Sequence, residues 1–286
     1  MNLAKSVFVS TYMTAAMAVV GYAGWMLTQG EDQLGWLGVL LTTAPFMMLL
    51  SYLMIFRAIA RTSNRLPLIN LMGAAGVGLS GYTAFAGGSV PAFALALAGW
   101  LGFLAYAYWY SSYGGRQPSA RIVIGAPLPA FSLKSSTGAA VTSAQLAEKP
   151  AILIFFRGNW CPLCVAQVKE LVSRYQELDA MGVRVALISP QPHANTEALA
   201  RKFAVPFDFL TDQGNKAART LGIAHDHGLP FGIQMLGYDS DTVLPTVIIT
   251  DAAGKVIWTH QTDNYRVRPE PDVFLDVIRK QGLAVA

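Results

Sequence analysis

Apolar residues run almost unbroken through four stretches of the first 110 positions, approximately Val7–Leu27, Leu34–Phe56, Pro67–Ala86 and Val90–Tyr110. Each is long enough to cross a bilayer, which takes about 20 residues as a helix. Lys5 precedes the first stretch, as in a secretory signal. Its apolar span exceeds the roughly 7–15 residues of a signal's apolar core and three more spans follow, so the pattern predicts a retained helix. Past Gly114-Gly115-Arg116-Gln117-Pro118-Ser119, a linker by composition, the periodicity changes. Ala151–Arg157, Val183–Ser189 and Phe207–Leu210 read as strands. Helices are expected from Pro162 to about Met181, at His193–Phe203 and at Gly214–Leu221. Thr246–Thr250 and Lys255–Thr259 flank Asp251-Ala252-Ala253-Gly254, whose composition suits a hairpin, and Asp272–Gln281 predicts a closing helix. Strands alternating with helices, then a hairpin and a helix, make a three-layer α/β pattern. Two domains are therefore expected: an all-α four-helix transmembrane bundle over residues 1–115, and an α/β domain over 116–286 with its linker at 116–124.

Charge sharpens that division. Hydrophobic residues make up 53% of the chain and charged ones 13%, against about 25% charged in an average soluble domain. Residues 1–115 hold only Lys5, Glu31, Asp32, Arg57, Arg61 and Arg65. Lys5 precedes helix 1, the three arginines separate helices 2 and 3, and Arg116 and Arg121 follow helix 4. The loops at Glu31-Asp32 and Gly87-Gly88-Ser89 have no Lys or Arg, so the positive-inside rule places both termini in the cytoplasm. Trp25 and Trp36 would mark the outer interface, and Trp109, Tyr110 and Tyr113 the inner one. The net charge of +4 reads as topology rather than nucleic-acid binding. The expectation is a multi-pass protein of a bacterial inner membrane, with its α/β domain in the cytoplasm. Gly73, Ala74, Ala75, Gly76, Gly78 and Gly81 allow close helix packing and leave homo-oligomers through the apolar helices open. No Asp, Glu, Lys, Arg or His lies at hydrocarbon depth to mark an ion or proton pathway. With no histidine or cysteine there either, bis-histidine haem and thiol relay are excluded, leaving anchoring or partner recruitment.

Chemistry concentrates in Trp160-Cys161-Pro162-Leu163-Cys164, which holds the only two cysteines. It sits where the apolar strand Ala151–Phe156 meets an amphipathic helix. Unpaired N–H groups at a helix start stabilise a thiolate, so Cys161 is expected to be the acidic nucleophile. Cys164, one turn on, would resolve a mixed disulfide formed there. Pro162 suits a first helical turn, where a missing N–H costs nothing. Zinc needs about four ligands, and His225 and His227 lie some sixty residues away at the wrong spacing, so no metal and no cofactor is expected. The remaining bland reading is a pair of ordinary core thiols. His193, His225, His227 and His260 show no partner pattern and receive no role.

The order of elements, with Trp-Cys-x-x-Cys after the first core strand, resembles the thioredoxin fold. Within it, Ile124-Gly125-Ala126-Pro127-Leu128-Pro129-Ala130-Phe131-Ser132-Leu133 is similar to the lead-in of the redoxin branch. That branch comprises AhpC/TSA peroxiredoxin-like proteins and membrane-tethered thioredoxin-like proteins. Phe156-Arg157-Gly158-Asn159-Trp160-Cys161-Pro162-Leu163-Cys164 resembles its active-site run, and Leu244-Pro245-Thr246 the fold's cis-proline segment. The resemblance covers about residues 122–286. It implies catalysis by Cys161 and Cys164, supported by Trp160, Pro162, Arg157, Pro245 and Thr246. It also implies a cis Pro245 set against the thiols, with backbone groups open to an extended substrate, and Trp160 shielding one side of the pair.

One departure matters. Typical peroxiredoxins carry Pro-x-x-x-Thr-x-x-Cys, whereas this chain has Gly158 where the threonine should be and Ile154 where the proline should be. The peroxide-holding hydroxyl is missing, and Arg157, Arg266 or Arg268 would have to supply positive charge unless each is merely solvated or ion-paired. The sequence therefore predicts a membrane-anchored thiol-disulfide oxidoreductase working by dithiol–disulfide exchange. The alternatives are a peroxiredoxin-like thiol peroxidase with Cys161 peroxidatic and Cys164 resolving, and a redox-sensing membrane scaffold. Expected partners are a protein or small-molecule disulfide or peroxide, a separate thiol electron donor and the lipid bilayer, with no nucleic acid. Gly228 to Val243, irregular and just ahead of Pro245, lines a substrate groove or covers the sheet edge.

Overall fold

The structure is a computed structural model and describes residues 2–283. The chain divides into two compact units, one of residues 3–57 and 62–114, the other chiefly from residue 115 onward.

The first unit is four helices: α1 (Asn2–Gln29), α2 (Gln33–Phe56), α3 (Pro67–Phe85) and α4 (Val90–Leu104), the last continuing as a π-helical turn over Ala105–Tyr110. All four spans are long and apolar enough to cross a membrane. The expected spans agree to within a few residues, except that α1 begins earlier and the fourth changes helix type. Asp32 caps α2 by accepting from the Gly35 N–H at 3.1 Å, and also accepts from the Ser89 N–H at 2.6 Å. Three of the four glycines of α3, Gly73, Gly76 and Gly81, sit where a neighbouring helix comes close, and Gly78 faces open space. A Cβ on Gly76 would lie 2.5 Å from the Gly38 carbonyl oxygen, so α2 and α3 approach backbone to backbone. Aromatic rings of Tyr12, Phe46, Phe103 and Tyr106 fill the interior where side chains are large.

The second unit is built on a seven-stranded sheet. Its strands are β1 (Ser132–Ser135), β2 (Ala140–Thr142), β3 (Ala151–Phe155), β4 (Arg184–Ser189), β5 (Asp208–Thr211), and, after a two-strand ribbon of β6 (Ala224–His225) and β7 (Thr242–Val243), β8 (Thr246–Thr250) and β9 (Val256–Gln261). The order across the sheet is β2-β1-β5-β4-β3-β8-β9, with β3, β4 and β5 parallel and β8 antiparallel to β3. The helices are α5 (Ser143–Leu146), α6 (Pro162–Ser173), α7 (Tyr175–Ala180), α8 (His193–Phe203), α9 (Lys216–Thr220) and α10 (Pro271–Lys280). A βαβ unit (β3 to β4) joined to a ββα unit (β8, β9, α10), with β3 and β8 side by side at the centre, is the thioredoxin-like arrangement. Every residue of β3 and β8 is buried, which explains why β3 reads as a continuous apolar run rather than an alternating one. Leu153, Phe155, Ile188, Leu210 and Ile248 lie in one core cluster. Each such side chain contributes about 1.5–3 kcal/mol of burial.

The helix expected from Pro162 to Met181 is two. Arg174 leaves helical geometry (φ −110°, ψ 14°), and its guanidinium turns to Glu177 and Asp272 at 2.5 and 2.7 Å. The β1–β2 hairpin and α5 lie in a span the sequence left unassigned.

Candidate active site

Strand β3 delivers the site. Phe155 pairs with Thr246 on one side and Ile188 on the other, and the Phe156 N–H still bonds to the Ile188 carbonyl at 2.9 Å before the chain leaves the sheet. Arg157 follows, then a turn closed by the Cys161 N–H on the Gly158 carbonyl at 3.1 Å. Gly158 sits at φ +133°, and a Cβ there would meet Trp160 at 3.0 Å and Tyr238 at 3.3 Å. Glycine therefore occupies the place of the peroxiredoxin threonine for a local reason: this backbone path admits no side chain. Cys161 is the N-cap of α6 and Pro162 its first residue, as expected.

Both thiols are free and buried, Cys161 at 2% exposure and Cys164 at 0%. Arg268 reaches them from the far end of the domain. Its Nη2 lies 3.2 Å from Cys164 Sγ and 3.8 Å from Cys161 Sγ. Its Nη1 donates to Gln167 Oε1 at 2.9 Å and its Nε to the Tyr265 carbonyl at 3.1 Å, which fixes the guanidinium plane. Arg157 is also buried. Its guanidinium is stacked 4.5 Å from the Trp160 ring and 5.1 Å from the Tyr265 ring, and its Nη2 donates to the Gly228 carbonyl at 2.7 Å. Trp160 returns an indole N–H to the Arg157 carbonyl at 3.1 Å, so this half-buried ring is fixed to the turn that carries Cys161. Of the three arginines named from sequence, Arg268 touches the sulfurs and Arg157 packs against the turn. The solvated reading fails for both. Arg266 is equally buried, and its backbone N–H donates to Asn264 Oδ1 at 3.0 Å.

The acidic thiol is not the expected one. Burial and the hydrogen bond with Cys164 push the Cys161 thiol up, and the two arginines offset this only in part. Burial alone would raise Cys164 too. The hydrogen bond from Cys161, the charges of Arg268 and Arg157 and the Arg157 backbone N–H overcome it and bring Cys164 down to about 5. The physical reason is positional. The Cys161 side chain makes no capping hydrogen bond to the first amides of α6, while Arg268 lies nearer Cys164. The pair thus holds one charge, placed on the inner sulfur.

The proline expectation is corrected. Among the described residues no peptide bond is cis, so Pro245 is trans. The chain passes from β7 through Leu244 and Pro245 into β8 without reversing, with the Leu244 N–H on the Ile223 carbonyl at 2.8 Å. Nor are the backbone groups here open to a substrate strand. Arg116 donates to the Pro245 carbonyl at 3.0 Å and to Thr246 Oγ1 at 2.8 Å. Pro245 and Thr246 still belong to the site's surroundings, since both line a narrow cleft with Gln167 and Arg268.

Gln167, Tyr265 and the loop anchors Gln191, Asn195 and Tyr238 went unnoticed in the sequence. Gln167 left a trace: a polar residue three positions after Cys164 on an otherwise apolar helix face. Among the described residues no cluster of three or more His, Cys, Asp or Glu side chains could hold a metal ion.

Residues 124–259 match the model of the AhpC/TSA family. The chloroplastic peroxiredoxin Q of Sedum lineare is 29% identical over 107 residues, 37% of this chain and 58% of that protein. That of Triticum aestivum is 32% identical over 98 residues, 34% of this chain and 45% of that protein. The chain spans about half the length of the curated relatives it matches. The crystal structure of peroxidoxin BcpB from Mycobacterium tuberculosis matches with a TM-score of 0.46 at 18% identity, covering 57% of this chain and 98% of that one. The matched span contains both cysteines and ends before Arg268, so the arginine at the sulfurs lies outside it. Over residues 124–259 the domain that begins at residue 115 is similar to the AhpC/TSA family of thioredoxin-fold, peroxiredoxin-like proteins.

Proposed function

We propose that this chain is a membrane-anchored, peroxiredoxin-like thiol oxidoreductase that reduces a small peroxide with the Cys161–Cys164 pair. The observation that carries the reading is the buried guanidinium of Arg268 within reach of both sulfurs. It stabilises a thiolate at neutral pH and the charge that develops as an O–O bond breaks. Burial of both sulfurs favours an oxidant the size of hydrogen peroxide over a folded protein disulfide. Transfer of the Cys161 proton to Cys164 moves the charge to the sulfur on the loop side. That sulfur attacks the terminal peroxide oxygen. The S–O bond forms, the O–O bond breaks, and the leaving alkoxide or hydroxide takes up a proton as alcohol or water. Cys161 is then a sulfenic acid. Cys164 displaces its hydroxyl as water, closing the disulfide and accounting for two electrons. A separate thiol donor would reopen it by exchange.

Dithiol–disulfide exchange is the second reading. It is favoured by Gly158, which offers no hydroxyl to peroxide. Stopped-flow oxidation of the reduced full chain in detergent separates the two. A fast second-order reaction with hydrogen peroxide that disappears in Cys161→Ser supports the peroxidase. A rate no greater than that of an unactivated thiol, alongside rapid exchange with a small disulfide, removes it.

The four apolar helices serve as the anchor in this reading, with the basic loops at Lys5, Arg57, Arg61 and Arg65 and the family domain on the cytoplasmic side. A reporter fused after Ala286 tests it, and activity only on the outer side refutes the topology.

A further inference from the structure

The chain between Gln261 and Pro271 carries the guanidinium that reaches the sulfurs, yet it forms no helix or strand. Its last part reads Arg268-Pro269-Glu270-Pro271, and each proline removes an N–H that could have tied the main chain down. The carbonyls of Arg268 and Pro269 accept from one side chain, that of Arg61. Its Nε lies 3.2 Å from the first and its Nη2 3.4 Å from the second. The same guanidinium grips the Glu170 carboxylate with two donors, Nη1 to Oε1 at 3.1 Å and Nη2 to Oε2, and Glu270 Oε1 stands 3.6 Å from Nη1. Glu170 lies on α6 one turn beyond Gln167, which receives Nη1 of Arg268. Arg61 and Glu170 are only 26% and 29% exposed, and two-donor geometry makes such a pair firmer than a surface contact. Residues 58–61 belong to the second unit although they precede α3 in sequence, and the neighbouring Ala60 is buried.

We infer that Arg61 is a positioning residue for the thiol pair: it pins the main chain of residues 268 and 269 to α6 and so keeps the Arg268 guanidinium at the sulfurs. By sequence alone Arg61 is interchangeable with Arg57 and Arg65 as a basic mark between α2 and α3. Its contacts set it apart, since Arg57 Nε turns back to the Met54 carbonyl of its own helix at 3.4 Å. Arg61 also lies well ahead of the family match at 124–259. The inference rests on the Arg268 contact that carries the proposed function, and not on which oxidant the pair meets.

The test follows the thiolate of the reduced full chain in detergent, by absorbance at 240 nm and by iodoacetamide alkylation across pH. Arg61→Met is expected to raise the thiolate midpoint by about half to one pH unit, less than the loss of Arg268 itself. Alkylation at about pH 5, where Cys164 is half ionised, is expected to slow about two- to fivefold, and above about pH 8 to stay within about twofold of the parent. Added to Arg268→Met, the same substitution is expected to move the midpoint by less than about 0.2, because nothing is left to position. Arg61→Lys keeps a charge for Glu170 but cannot serve both carbonyls as well, so it should show about half the rise. It keeps the question answerable should Arg61→Met not fold. Arg57→Met, which removes an equal charge, should leave the midpoint in place. Parent-like midpoints in Arg61→Met and Arg61→Lys overturn the inference. An equal rise in both backgrounds overturns it too, since the charge of Arg61 would then act by itself, and so does faster alkylation at every pH, the mark of a loosened fold. An unchanged midpoint in Arg268→Met removes the inference together with its premise. A parent chain that meets peroxide as an ordinary thiol removes the peroxidase reading alone, and the thiolate midpoints still decide the role of Arg61.

Discussion

The Nη2 of Arg268 stands 3.2 Å from the Sγ of Cys164 and 3.8 Å from that of Cys161, joining the start of α6 to the segment just before α10. An opposite charge at this range lowers a thiol pKa by about 1–3 units. Arg268→Met keeps length and packing but removes the charge. Its thiolate midpoint, followed by absorbance at 240 nm, is expected to rise by about 1–2 units, and peroxide oxidation at pH 7 to fall about 10- to 100-fold. Arg268→Lys should recover only part of this, because an ammonium cannot reach Gln167, the Tyr265 carbonyl and the sulfurs together. An unchanged midpoint in Arg268→Met would show that the guanidinium does not govern the pair.

The charge on Cys164 makes a pH prediction with a definite sign. Burial opposes ionisation, yet the Cys161 thiol, Arg268 and Arg157 bring Cys164 to about 5. Its native pKa lies below the unfolded value of about 8.5, so the thiolate stabilises the reduced fold above that value. The contribution is lost as pH falls through about 5. The disulfide form lacks this titration. The unfolding midpoint of the reduced chain, measured against the oxidised chain, is therefore expected to drop steadily between about pH 8.5 and about pH 5. Cys164→Ser should abolish the low absorbance step near pH 5. A single step near pH 8.5 in the parent chain would contradict the assignment.

What was legible in the sequence was what local pattern encodes. The edges of α8 and β8 match their expected residues, because His193–Phe203 has strong helical amphipathicity and Thr246–Thr250 is a short β-branched run. The strand, turn and helix around Cys161 were legible for the same reason. The β1–β2 hairpin was not: its four- and three-residue strands at the sheet edge carry too few alternating positions, and the Thr142 capping box opens a helix of only four residues. The site's electrostatics were illegible for another reason. Arg268 lies 107 residues from Cys161, and only the sheet's closure brings β9 and the segment leading to α10 beside α6. Local reasoning put the helix end in charge of acidity, but tertiary placement of a guanidinium decides it.

Gly158 is held at φ +133°, a region that side chains avoid, with Trp160 and Tyr238 closing the space around it. Gly158→Ala is expected to cost about 1–3 kcal/mol and to displace the turn carrying Asn159 and Cys161. Thermal unfolding should show a lower midpoint, and iodoacetamide should reach the thiols faster as the turn opens. A variant as stable and as slow to alkylate as the parent would mean the backbone relaxes to an ordinary path at no cost.

Arg157 ties the stretch from Gly228 to Val243 to the thiol turn. Its Nη2 holds the Gly228 carbonyl at 2.7 Å, and its own carbonyl accepts from Thr242 Oγ1 at 3.1 Å, so the loop is clamped at both ends. Between the clamps, the side chains of Phe231, Met235 and Leu236 are exposed. Arg157→Lys keeps a charge but loses the flat surface stacked on Trp160 and Tyr265 and the bond to Gly228. Limited proteolysis of the full chain in detergent is expected to cut between residues 229 and 239 several-fold faster in this variant. Peroxide oxidation should slow with it, because the turn that carries Cys161 loses the stacked side chain that braces it. Cleavage there at the parent rate would show that the loop is held by its own turn, between Gly232 and Gly237, and not by the arginine.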